Sequence, residues 1–290
     1  MVRYLDPAIL ARLGHLSLRA RRSLDGARVG RHRAARHGSS VEFAEHKVYT
    51  PGDDLRRLDW KAFAKLDRYY VRRYEHESEL CGYFVVDASG SMAYGRAGAR
   101  PKLDYACFLA ATLAYQLGAQ DDASGLWVAK EEGAVWVPPR PGIPHALELA
   151  RTLEDVLPRG RTDLGATLGQ LGEAARRRGV VVLLSDLFDD TERILAGLHR
   201  LRARRHRVMV LHVLDADELE FPFEGLSVFE SMEDERKLLV DACAARRAFQ
   251  REMQAFIARF RARCHDDDIG YHLLPTARPI EDALAEVLSA

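Results

Sequence analysis

Long apolar runs are missing from this sequence of 290 residues. None approaches the roughly 18 consecutive apolar residues that a membrane-spanning helix needs, so no span is expected. No secretory signal is expected either, because Arg3 and Asp6 precede no apolar core of the required length. Cysteine is scarce. Cys81, Cys107, Cys243 and Cys264 are scattered, and none stands in a Cys-x-x-Cys pair, which gives neither zinc spacing nor a disulfide framework. Cys81 and Cys107 lie in apolar surroundings and read as core thiols, and a reducing, cytoplasmic setting is the expectation. Charge of one sign is also lacking: 43 Lys and Arg balance 43 Asp and Glu, so no global field favours nucleic acid.

Several catalytic signatures are absent as well. No Gly-x-x-x-x-Gly-Lys-Ser/Thr string exists, which excludes a P-loop ATPase in this chain. No Gly-x-Ser-x-Gly elbow follows the strand that ends on Asp87. The 11 histidines make no His-x-x-x-His pair. A phosphatase of the haloacid dehalogenase type would place a second acid two residues after Asp87, where Ser89 stands.

What is present fits a soluble globular protein: 47% hydrophobic and 30% charged residues, in a chain long enough for one large α/β domain and an extension. The stretch Tyr83-Phe84-Val85-Val86-Asp87-Ala88-Ser89-Gly90-Ser91-Met92 organises the reading. A buried strand ends on Asp87, two hydroxyls follow at alternate positions, and Gly90 permits close backbone approach. Such an oxygen-only set suits a hard cation, Mg²⁺ or Mn²⁺. Alone, the pattern also fits an Asx turn with Ser89 or Ser91 capping the next helix. Two further stretches favour the cation. Gly160 to Gly165 is a polar turn carrying Thr162, and Val180 to Asp186 is a second buried strand ending on an aspartate. Parallel strands bring their carboxyl ends to one sheet edge, where Asp87, Thr162 and Asp186 can converge.

Asp-x-Ser-x-Ser, then Thr, then Asp, on those elements, resembles the metal-ion-dependent adhesion site (MIDAS) of von Willebrand factor type A domains. The resemblance implies that Ser89, Ser91 and Thr162 ligate the ion directly and that Asp87 and Asp186 hold it mostly through water. Upstream, Pro-Gly-Asp-Asp-x-Arg-x-x-Asp-Trp, from Pro51 to Trp60, followed by Tyr-x-Val-Arg-x-Tyr-Glu, is more specific still. With the Asp87 strand it is similar to the bacterial and archaeal family called domain of unknown function 58, over roughly residues 30 to 200. The resemblance implies a von Willebrand type A-like, doubly wound, mostly parallel sheet flanked by helices. It further implies a family-specific extension over residues 1–80 before a domain over 81–290, and a chaperone-like or assembly role beside MoxR-type AAA+ ATPases.

The order strand, helix, hairpin, helix, strand, helix, strand predicts the same sheet from the residues. Helices are expected at Leu5–Leu16, Lys102–Leu117, His145–Leu157, after Thr162 to Arg178, at Ile194–Arg204 and at Ala244–Cys264, with Phe249, Met253, Phe256 and Phe260 on one core face of the last. Prolines 138, 139, 141 and 144 mark the exit from a strand. Leu226–Phe229 and Lys237–Val240 predict a hairpin across Met232 to Glu235. Asp53, Asp54, Arg56, Arg57, Asp59 and Trp60 are candidates for a salt-bridged structural turn or a partner surface. Arg19, Arg21, Arg22, Arg28, Arg31, Arg33 and Arg36 read as a solvated or docked face, without aromatics for base stacking.

The expected function is a non-enzymatic, divalent-metal-dependent protein-binding module. The partners would be a MoxR-type ATPase or a client offering an Asp or Glu. Metal-assisted hydrolysis and binding of nucleic acid or an anionic surface through the arginine-rich segment are the alternatives.

Overall fold

The computed structural model describes residues 2–13, 42–48, 70–75 and 80–289. The chain divides into two compact units, Met1–Arg22 with Leu80–Ala290, and Ser23–Glu79. In the smaller unit β1 (Glu42–Val48) pairs antiparallel with β2 (Tyr70–Glu75), with an irregularity between Phe43 and Glu45. The candidate partner segment from Asp53 to Trp60 and the arginines from Arg19 to Arg36 lie outside the described residues.

The larger unit opens with α1 (Pro7–Leu13). Asp6 accepts the Ala8 N–H at 2.8 Å, and Pro7 occupies the first turn, where a missing N–H costs nothing. Tyr4, Leu5 and Ile9 are buried in the same core as the helices that follow, and the Tyr4 hydroxyl donates to Asp104 at 2.9 Å. The first residues therefore pack on the main body.

The rest runs β3 (Cys81–Asp87), α2 (Lys102–Ala119), β4 (Ala123–Ala129), β5 (Ala134–Pro141), α3 (Ile143–Glu154), α4 (Leu164–Ala174), β6 (Val180–Ser185), α5 (Thr191–Ala203), β7 (Arg207–Leu214), α6 (Ala216–Glu220), β8 (Leu226–Glu230), β9 (Lys237–Asp241), α7 (Ala242–Asp266), β10 (Gly270–Pro275) and α8 (Ile280–Ser289). Six strands form one sheet in the order β10-β7-β6-β3-β4-β5, parallel except for β5. Strand residues alternate between two cores, as the two-residue period requires. Phe84, Val86, Val182 and Leu184 face one layer with α2, α3 and α8, whereas Tyr83, Val85, Val181 and Leu183 face α4, α5 and α7.

Two expectations need correction. The Pro138 to Pro141 run does not end the strand: β5 continues through Pro141. It lies at the sheet edge, where a proline has no outer ladder bond to lose. The helix after Thr162 ends at Ala174, short of Arg178. Beyond it the chain turns back to the sheet, where the Arg177 carbonyl accepts the Tyr83 hydroxyl at 3.0 Å. Gly179 then passes so close that a Cβ there would stand 2.0 Å from the Cys81 carbonyl oxygen.

Candidate metal centre

The chain leaves β3 for β4 on one side, yet β6 pairs with β3 on the other. The crevice between β3 and β6 is therefore the switch point of the sheet, where α/β folds place ligands. Val86 pairs with Leu184 at the end of the ladder. One step further, Asp87 lies beside Ser185, with Asp186 next along; all three are buried.

Asp87 is held by neutral donors. Its Oδ1 accepts from the Ser89 N–H at 2.9 Å and the Thr162 hydroxyl at 3.0 Å, and its Oδ2 accepts the Ser185 hydroxyl at 2.7 Å. Ser185 Oγ in turn accepts the Leu187 N–H at 2.8 Å, which fixes its rotamer. Burial first, and Asp186 second, push the Asp87 carboxyl up to about 6. The Ser89 and Ser91 hydroxyls stand 3.0 Å apart. The loop between them is a 3₁₀ turn over Gly90–Ala93, and Gly90 N–H donates to the Gly160 carbonyl at 2.7 Å, tying the serine loop to the Thr162 loop.

Asp186 is held differently. The Lys102 ammonium, wholly buried, meets Asp186 Oδ2 at 2.7 Å and Glu218 Oε1 at 2.5 Å. Burial alone would lower the Lys102 pKa, but the two carboxylates raise it above its ordinary value. Glu218 closes a capping box with Asp215 at the start of α6. The Asp186 backbone carbonyl accepts His212 Nε2–H at 2.9 Å. His212 stays neutral, burial holding its pKa down to about 4, and Tyr271 lies 2.6 Å from its other ring nitrogen.

A third element reaches the loop. The turn between β8 and β9 lies on Gly90, where a Cβ would come within 2.0 Å of the Met232 carbonyl oxygen. The close approach expected at Gly90 is thus made by the chain's own hairpin. Glu233 from that turn lies beside Ser91, and its carboxyl pKa is raised by burial and then by Asp186. A cleft of about 250 Å³ opens beside them, lined by Ser91, Tyr94, Phe188, Glu218, Ser231 and Glu233 among others.

The five candidate ligands thus fall into one cluster of four, Asp87, Ser89, Ser91 and Thr162, with Asp186 alongside on Lys102. Among the described residues no group of three or more His, Cys, Asp or Glu is placed to hold a metal. A cation here would rest on hydroxyls, as a hard ion tolerates. The charge also suits a cation: Asp87 and Asp186 are both buried, and the ammonium that meets Asp186, that of Lys102, is shared with Glu218. Sequence reasoning missed Lys102, Ser185, Glu218 and Glu233. Lys102 reads as the polar start of an apolar helix, and its partner Glu218 lies in an acidic stretch, Asp215-Ala216-Asp217-Glu218, with nothing in its spacing to mark it.

The family description "Protein of unknown function DUF58" matches residues 45–258. The uncharacterized proteins Mb1516 of Mycobacterium bovis and Rv1480 of Mycobacterium tuberculosis are each 33% identical over 233 residues, 79% of this chain and 72% of theirs. The crystal structure of an aerotolerance-related membrane protein from Bacteroides fragilis superposes with a TM-score of 0.50 at 16% identity, over 72% of this chain and 97% of that one. The SpRpn10 VWA domain superposes with a TM-score of 0.42 at 12% identity, over 71% and 93%. Among the described residues, no helix of this chain is long and apolar enough to cross a membrane. With its sheet order, its flanking helices and the family match over most of its length, the chain belongs to the DUF58 family of proteins of unknown function and has a von Willebrand type A-like fold.

Proposed function

We propose that this protein is a non-enzymatic, divalent-cation-dependent binding module for an acidic partner. The observation that carries the reading is the convergence of the Ser89, Ser91 and Thr162 hydroxyls on and beside Asp87 at the switch point of the sheet. Those residues, with Asp186, would hold Mg²⁺ or Mn²⁺. Bound there with few direct carboxylate ligands, such an ion supplies an electrophilic position for one further oxygen ligand. The protein's own contribution is positioning. Ser185 and the Ser89 N–H orient Asp87, Lys102 orients Asp186, and the Gly90–Gly160 bond sets the serine loop against the threonine loop.

His212, which donates to the Asp186 carbonyl, is buried and engaged at both nitrogens, so it offers no free nitrogen as a general base. The module would act in the cytoplasm, in keeping with its four free cysteines, as an adaptor or chaperone-like partner of a MoxR-type AAA+ ATPase or of its client. Metal and partner affinities are then linked reciprocally. Co-purification with the MoxR-type ATPase of the same organism, with Mg²⁺ and with chelator, tests this. Capture should be lost in chelator and in Ser89→Ala. Capture indifferent to both would remove metal-dependent recognition from the account.

A further inference from the structure

The β8–β9 hairpin is not part of the central sheet; it is a separate two-stranded ribbon. It is held near its turn by Phe229, which stacks on Phe221 at 5.5 Å and meets Phe223 edge-on at 5.2 Å. Its turn is shaped from within. Ser231 Oγ accepts the N–H groups of Glu233 and Asp234 at 3.3 and 3.2 Å, and Asp234 takes Arg236 Nε at 2.8 Å. That shape places Glu233, its side chain 16% exposed, beside Ser91 in the neighbouring cleft and 3.5 Å from Arg161 Nε. Arg161 is itself 66% exposed, and a pair with so solvated a partner gains too little to account for a carboxylate placed beside a hydroxyl loop.

The geometry points to Glu233 as the in-chain occupant of the place where a partner's carboxylate binds, so that the hairpin turn and an acidic partner compete for one position. This inference rests on the reading of the site as a metal-dependent carboxylate binder, and it adds a residue to that site. The turn carries the same functional group that the partner must bring, at the same hydroxyl, Ser91. It also stands over Gly90, where no larger residue fits beneath the Met232 carbonyl. A partner reaching Ser91 through the neighbouring cleft displaces Glu233 while Phe229 stays seated on Phe221. The partner's acid therefore belongs on an exposed loop or chain end, able to enter where a single turn now lies.

Calorimetric titration of Mn²⁺ into the full chain tests the inference, with acetate as the probe for the vacated position. Glu233→Ala should weaken Mn²⁺ about 10- to 100-fold, the usual effect of losing an outer carboxylate, and acetate should restore most of the loss. Acetate should leave the wild type unchanged, as should the nearby exposed change Glu235→Ala. Glu233→Gln, which keeps the size of the side chain, should weaken Mn²⁺ without rescue by acetate. Equal or tighter Mn²⁺ binding in Glu233→Ala, or no response to acetate, overturns the role of Glu233. If the wild type binds Mn²⁺ and Ser91→Ala does not, that result leaves the metal site standing. Absence of Mn²⁺ binding in the wild type itself overturns both readings.

Discussion

Asp87 and Asp186 end adjacent parallel strands and are almost equally buried, at 2% and 1% exposure, yet they are stabilised in opposite ways. Asp87 is surrounded by a backbone N–H and two hydroxyls, all neutral. Asp186 is locked to an ammonium that it shares with Glu218. The difference separates two jobs within one crevice. A carboxylate held by hydroxyls keeps its negative charge uncompensated and its neighbours free to turn their lone pairs to a cation. A carboxylate held by a buried lysine is already partly compensated, and its Oδ2 is taken by the ammonium. The asymmetry also explains why burial and Asp186 raise the Asp87 carboxyl: its donors orient it without neutralising it.

The largest break in this comparison comes from Lys102→Met. It leaves the buried Asp186 and the largely buried Glu218 without their cation, a loss of about 3–5 kcal/mol, which lowers the melting temperature by about 10 °C in a domain of this size. Adding Asp186→Asn should recover part of it, because the charge left unpaired is then gone. Differential scanning calorimetry in chelator reads both; a Lys102→Met protein as stable as the wild type would mean that the ammonium carries no such weight. Ser185→Ala comes next. It removes the hydroxyl that donates to Asp87 Oδ2 and accepts the Leu187 N–H, at about 2 kcal/mol in urea unfolding. An effect as large as that of Lys102→Met would erase the distinction between the two aspartates. Arg161→Ala should be smallest. It breaks an exposed pair with Glu233 worth at most about 1 kcal/mol, so its unfolding midpoint should stay near that of the wild type.

The sequence makes one half of this crevice legible and hides the other. Apolar runs that stop at Asp87 and Asp186 mark the ends of buried strands, and parallel pairing brings such ends together wherever their helices lie. Thr162 is legible for the same reason, as the polar turn before a helix that must return to that edge. Lys102, Ser185, Glu218 and Glu233 come from four separate segments and meet only after the sheet and helices have packed. Lys102 is hidden because a lysine opening an amphipathic helix ordinarily points to water. Glu233 is hidden because a hairpin turn rich in acids reads as solvated surface, and nothing in its local spacing says which loop it will touch. The edge strand through Pro138 and Pro139 failed for a related reason: proline ends a central strand, and only the sheet order reveals that β5 is not one.

Thermal unfolding of the wild type and of Ser91→Ala, each in chelator and in millimolar Mg²⁺ or Mn²⁺, tests the metal-site claim most directly. Ser91→Ala removes a hydroxyl and leaves every charge of the crevice in place. Metal at about 100 times its dissociation constant stabilises the state that binds it by about 2.7 kcal/mol. The account predicts a rise of several degrees in the wild type and none in Ser91→Ala. No rise in the wild type, or the same rise in both proteins, would contradict it.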